Sequence, residues 1–192
     1  MDIEKRCNWV TDNPLYIDYH DNEWGIPVYD DKKLFECLTL EGAQAGLSWY
    51  IVLKKREDYR KAFEQFNIEM IAEYDSVKIE ELVQNKGIIR HRGKIESVVA
   101  NAKAFIEIQK EFGSFSSYIW SYVNNEPQIN HWEDIGKVPK NTPLSDKISK
   151  DLKKRGFKFV GTTIVYSFLQ AVGIMNDHIK DCKCSSNMTK SM

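Results

Sequence analysis

Apolar side chains recur along this chain at helical spacing, and nowhere do they alternate for long enough to make a sheet. Leu34, Phe35, Leu38 and Leu40 follow Asp30-Asp31, acids that suit the positive end of a helix dipole, and predict a helix running toward Glu41. Gly42, Gly46 and Ser48 then predict a bend over 41–48 in place of helix interior. A second helix is expected from Trp49 to Phe66, with Lys, Arg and Glu along one side. Ile79, Leu82 and Val83 give a short amphipathic helix that stops near Lys86-Gly87. After Gly93, the set Ile95, Val98, Val99, Ala102, Phe105 and Ile106 keeps an i, i+3, i+4, i+7 rhythm, the mark of a long helix. Residues 124–143 carry Pro127, Pro139 and Pro143 and read as a loop-rich connection. Ile164, Phe168, Leu169 and Val172 mark a last helix ending near Gly173. The expected fold class is all-α.

Composition narrows the picture. With 192 residues, 42% of them hydrophobic, the chain can bury a core, which excludes global disorder. A net charge of −1 excludes a histone-like polycation but leaves room for a local basic face. No apolar run approaches the ~18 residues that span a bilayer. The charged stretch Met1 to Trp9 leads into no apolar signal segment. Cys7, Cys37, Cys182 and Cys184 lack the spacing of a secreted disulfide scaffold, so a reducing cytoplasm is expected. Residues 1–184 are read as one domain of two helical lobes, and 185–192 as a polar tail that frays.

Between the helix that stops near Lys86-Gly87 and the one that follows Gly93 lies a short, glycine-bounded basic hairpin. Gly87 and Gly93 permit close backbone approach, the second helix offers free N–H groups, and Lys86, Arg90, Arg92 and Lys94 add charge. That combination suits the phosphates of a nucleic-acid backbone, although a solvated basic corner has the same pattern. A second basic run, Lys147 to Lys158, precedes the last helix, and two such entrances in a neutral protein favour a nucleic-acid face.

The first fifty residues hold Trp9, Tyr16, Tyr19, Trp24, Tyr29, Trp49 and Tyr50. Such rings either build a core or wall a pocket for a flat base, where their faces attract a cation. Glu41, beside them, either faces solvent at a helix end or is buried with a chemical role. Cys7 and His20 near one end, with His178 and Cys182 near the other, suit closed tetrahedral zinc. By spacing alone Cys184 serves as well as Cys182, and His178 and Cys182 share a face only if that stretch is helical.

Several ordered stretches carry a specific likeness. Cys7-Asn8-Trp9-Val10, Asp12-Asn13-Pro14-Leu15-Tyr16, Tyr19-His20-Asp21-Asn22-Glu23-Trp24-Gly25, Leu40-Glu41-Gly42-Ala43-Gln44-Ala45-Gly46-Leu47-Ser48-Trp49 and Gly87-Ile88-Ile89-Arg90-His91-Arg92-Gly93-Lys94 are among them, as is Asn176-Asp177-His178. Through these the chain resembles the 3-methyladenine DNA glycosylase I family from Cys7 to about Cys184. The resemblance implies a helix–hairpin–helix fold and a structural zinc ion on Cys7, His20, His178 and Cys182. It also implies that Glu41 and Tyr19 meet the edge of an excised base and that Trp49 stacks on it. Trp9, Tyr16 and Trp24 would complete the wall, with Leu47 probing the duplex and Gly87, Arg90, Arg92, Gly93 and Lys94 on the DNA backbone. The implied activity is hydrolytic removal of 3-methyladenine from alkylated double-stranded DNA by a monomer needing no membrane or obligatory protein partner. The wider superfamily carries a catalytic aspartate some way past its hairpin, yet Lys94 to Glu133 contains no Asp. Catalysis therefore has to rest on the reader of the base, Glu41.

Overall fold

A computed structural model describes residues 5–185. Its ten α-helices are α1 (Pro14–Asn22), α2 (Asp31–Gln44), α3 (Trp49–Lys54), α4 (Arg56–Ala62), α5 (Ile68–Ala72), α6 (Ser76–Gln84), α7 (Arg92–Phe112), α8 (Phe115–Ser121), α9 (Pro143–Lys154) and α10 (Thr162–Ala171). One parallel pair of two-residue strands, β1 (Gln128–Ile129) and β2 (Met175–Asn176), is the only sheet among the described residues. The all-α expectation holds. Of the expected tail, residues 186–192 lie outside the described residues.

The helix α2 starts where its acids suggest, with the Asp30 carboxylate accepting from Lys33 N at 2.8 Å. Its end differs from expectation. The helix continues through Glu41 and Gly42 to Gln44, and only residues 45–48 form the bend, with Gly46 at φ +77°. Tertiary packing overrides the weak helix propensity of Gly42, which is buried against Phe159, where even a Cβ would find an ordinary contact at 3.5 Å. Leu34, Phe35 and Leu38 of α2 are fully buried beside Phe105 of α7 and Phe168 of α10.

The single helix expected from Trp49 to Phe66 is three pieces. The backbone opens at Lys55 (φ −94°, ψ 0°), and Glu64–Phe66 forms a 3-10 turn. This break frees the Lys55 ammonium to donate to the carbonyls of Lys86 and Gly87, at 2.9 and 3.2 Å. The hairpin between α6 and α7 is held further by Ile89 N donating to the Tyr59 hydroxyl at 3.2 Å and by the buried Ile88. At Gly87 a Cβ would come within 2.9 Å of Asp58 Cβ, so the glycine serves close approach to α4. The apolar rhythm does not predict α8, a seven-residue helix capped by Ser114, which accepts from Ser117 N at 2.9 Å, and supported by a residue distant in sequence. Asp31 accepts from the amides of Phe115 and Ser116 at 2.9 and 2.8 Å.

Lys94 requires a correction. Expected on phosphate, its side chain is buried, and Nζ donates to the carbonyls of Ala43 and Ala45 at 2.8 and 2.6 Å. It thus satisfies the open carbonyls at the C-terminus of α2, where a cation also suits the dipole. Replacing it by methionine would leave two carbonyls unpaired. Lys94→Met is therefore expected to lower the unfolding free energy by about 3 kcal/mol. A urea titration with an unchanged midpoint would show that the bond carries no weight in the fold.

Candidate active site

Four helices converge on one cavity. α1 presents Tyr16 and Tyr19, α2 presents Glu41 and Gln44, α3 begins with Trp49, and α10 presents Ser167 and Gln170. Trp9 and Trp24, from the loops before and after α1, and Ile135 complete a space of about 340 Å³. All six side chains expected to meet a base therefore line the same cavity. The rings brace one another: Trp9 lies edge-on to Trp24 with centroids 5.2 Å apart, and Tyr19 tilts against Trp49 at 5.2 Å. Trp49 Nε1 is buried without a hydrogen-bond partner among the described residues.

Glu41 is 5% exposed and makes no hydrogen bond among the described residues. Burial pushes its carboxyl up to about 8, so these surroundings favour the uncharged acid near neutral pH. Tyr19, raised first by burial and then by the nearby Glu41, stays a neutral phenol. A flat aromatic enclosure with one poorly solvated acid would gain most from a ligand that brings positive charge.

Behind the aromatic wall sits the cysteine–histidine cluster. The ligand atoms of Cys7, His20, His178 and Cys182 all lie within 4.8 Å of one another, and all four residues are buried. Cys182 Sγ is 3.5 Å from both His20 Nε2 and His178 Nδ1, and Cys7 Sγ is 3.6 Å from His178 Nδ1. A tetrahedral zinc with bonds of about 2.3 Å to sulfur and about 2.0 Å to nitrogen sets sulfur–nitrogen edges of about 3.5 Å. The imidazole tautomers agree: His20 Nδ1 meets Asp21 Oδ1 at 2.8 Å and His178 Nε2 meets the Trp24 carbonyl at 3.1 Å, leaving the other nitrogens as lone-pair donors to a cation. The residues fit the metal.

Cys182, not Cys184, occupies the fourth corner; Cys184 Sγ is 4.0 Å from His20 Nδ1, on the Asp21 side. The stretch holding His178 and Cys182 is turn, not helix, so their approach comes from chain reversal after β2. The cluster touches the cavity wall directly. Trp24 packs edge-on to His178 at 4.6 Å and Trp9 edge-on to His20 at 5.3 Å.

At the cavity mouth the bend after α2 exposes Leu47 beside Thr163 and Ile164, around an adjoining recess of about 180 Å³. Of the hairpin residues, Arg90 is exposed, Arg92 is paired with Glu80 and reaches Glu96 at 3.9 Å, and Gly87 and Gly93 are partly covered. Gln44, Ile135, Ser167 and Gln170 escaped the reading of the chain. The two α10 residues have a signal, being polar positions three apart in the apolar body of a helix that starts on two threonines.

A family model described as methyladenine glycosylase matches residues 9–185. DNA-3-methyladenine glycosylase 1 of Escherichia coli (strain K12) is 53% identical over 180 residues, covering 94% of this chain and 96% of its own. A crystal structure of 3-methyladenine DNA glycosylase I superposes with a TM-score of 0.92 at 55% identity, covering 94% of this chain and 99% of that one. The Staphylococcus aureus enzyme, in a structure described as the basis of 3-methyladenine recognition, gives a TM-score of 0.92 at 41% identity over 95% of this chain and 97% of its own.

The raised Glu41 makes stability depend on pH. Between its ordinary 4.5 and about 8, the folded protein keeps a proton that the unfolded chain has lost. The resulting stability is full below 4.5 and is lost as pH rises through about 8. Glu41→Gln removes that slope. It should melt above the unaltered protein at about pH 9 and together with it at about pH 4.5; parallel melting curves across this range would refute the burial.

Proposed function

The chain belongs to the methyladenine glycosylase family, and from that premise we propose that it is a DNA repair enzyme that hydrolyses the N-glycosidic bond of 3-methyladenine in alkylated DNA. It leaves the free base and an abasic site. One observation carries the reading: a cavity walled by tryptophan and tyrosine rings encloses a buried Glu41 that has no hydrogen-bond partner among the described residues. Methylation at N3 makes the adenine cationic, which weakens its bond to the sugar and makes it a good leaving group. The enzyme's task is then to select and hold that cation.

In the proposed sequence the hairpin grips phosphates through Arg90, Arg92 and the backbone at Gly87 and Gly93, while Leu47 enters the space left by the flipped nucleotide. This is the helix–hairpin–helix role, with Lys94 holding the device together from within. The base enters between the rings, stacking on Trp49, with Tyr19 and Glu41 at its edge and Tyr16, Trp9 and Trp24 around it. The cation draws Glu41 into its ionised form, and the pair forms where water is excluded. Water adds to the sugar carbon and gives up a proton, and the electrons of the broken C–N bond leave with the base. No lysine lines the cavity among the described residues, which fits hydrolysis without strand cleavage.

Cys7, His20, His178 and Cys182 would hold one zinc ion, whose contribution is structural because four protein ligands fill its shell. We read residues 1–184 as one catalytic domain acting as a monomer on double-stranded DNA in the bacterial cytoplasm. No helix among the described residues is long and apolar enough to cross a membrane.

Glu41→Gln should slow release of 3-methyladenine from methylated DNA by about a hundredfold while DNA affinity persists. In the unaltered protein kcat/KM should climb with pH to a plateau above about 8, and the variant should lack that climb. Unchanged release would remove Glu41 from the mechanism.

Elemental analysis is expected to find one zinc per chain. Stripping the zinc should lower the melting temperature, with base release declining only in step with the folded fraction. Abolished release with helical content intact would instead assign the metal to the chemistry.

A further inference from the structure

One cavity side chain has its hydrogen-bonding direction dictated from outside the cavity. Asp177 is fully buried and accepts from Asn130 Nδ2, Trp132 Nε1 and Gln170 Nε2 at 2.7 Å each and from the Tyr166 hydroxyl at 2.5 Å. A carboxylate surrounded by donors accepts only, so the end of the Gln170 amide that meets it is the NH2 group. The opposite end, Oε1, has no donor among the described residues, and Gln170 lines the cavity together with Glu41 and Trp49. Its main chain is pinned as well, since its carbonyl accepts from Gly25 N at 3.0 Å, beside Trp24.

We propose that Gln170, oriented by Asp177, is a specificity-determining residue whose Oε1 accepts a hydrogen bond from the exocyclic amine of the bound base. The inference rests on the glycosylase reading and names what the cavity selects. An adenine amine carries two N–H donors, whereas guanine places a keto oxygen at the same position. A freely turning glutamine would serve either, because its amide can present N–H or oxygen. Here a turn would set Oε1 against the Asp177 carboxylate and leave the buried acid short of a donor. Acceptor would then face acceptor for a keto purine, so the site admits an amine and resists an oxo group. Asp177 is a positioning residue in this scheme, acting only through Gln170.

Gln170→Met keeps the length of the side chain and removes its acceptor. Release of 3-methyladenine and 3-methylguanine from methylated DNA, compared as kcat/KM, should show the preference for 3-methyladenine falling by at least about tenfold. The loss should come from slower 3-methyladenine release, with 3-methylguanine release unchanged or faster. A preference within about twofold of the unaltered protein's overturns the proposal, whether or not both rates fall together. Tyr166→Phe removes a different donor from Asp177 and should lower the melting temperature while keeping the preference; a lost preference there also counts against Gln170. A measurement on the unaltered protein covers the case in which Gln170→Met does not fold. On addition of free 3-methyladenine, the side-chain carbonyl carbon signal of Gln170 should shift while its amide protons stay protected. An unmoved carbonyl signal overturns the assignment. Release of 3-methyladenine by the unaltered protein tests the underlying activity separately.

Discussion

Two ends of the chain meet at Cys7, His20, His178 and Cys182, and the cavity exists because they do. The rings of Trp9 and Trp24 lie in the loops that flank the short α1. They pack against the imidazoles of His20, on α1, and of His178, beyond β2. The same closure is repeated in polar bonds around it: Arg6 and Lys183 converge on Asp21, and Lys183 N donates to the Lys5 carbonyl at 2.9 Å. A wall made of loops thereby acquires the stiffness that a flat ligand needs from its container.

Against this wall the central helix α2 brings a carboxyl into apolar surroundings. An ordinary core would not tolerate an acid without a partner. Asp177 shows the alternative within the same molecule, being equally buried but supplied with four donors by two segments of chain. One acid is satisfied by the protein and holds it together. The other, Glu41, has no hydrogen-bond partner among the described residues and is the one proposed to meet a ligand. The missing aspartate after the hairpin belongs to the same economy, because a leaving group that already carries positive charge needs a complementary site more than a push.

The legible parts of this protein are those in which structure is local. The rhythm of Ile95, Val98, Val99, Ala102 and Phe105 marked α7, and Asp30 announced the start of α2. The parts that misled depend on distant contacts. Gly42 reads as a break until Phe159 packs against it, and the first two amides of α8 are met by Asp31, across the chain. Lys94 reads as one more basic residue of a hairpin until its ammonium is found under α2. The six aromatic and acidic residues of the cavity were visible as a cluster near the N-terminus. Their partners on α10 were hidden because nothing in the order of residues states that α10 and α2 lie side by side.

The bonds from Lys94 to the carbonyls of Ala43 and Ala45 join the helix entrance after the hairpin to the bend that carries Leu47. The two parts are thereby tied together. On the proposed function, such a protein cannot shorten its reach to suit the helix beneath it, so every mismatch between grip and probe must be absorbed by the DNA. A sound base pair resists that deformation and a damaged one gives way. Inspection for damage then becomes a mechanical comparison, made before any base has touched the cavity.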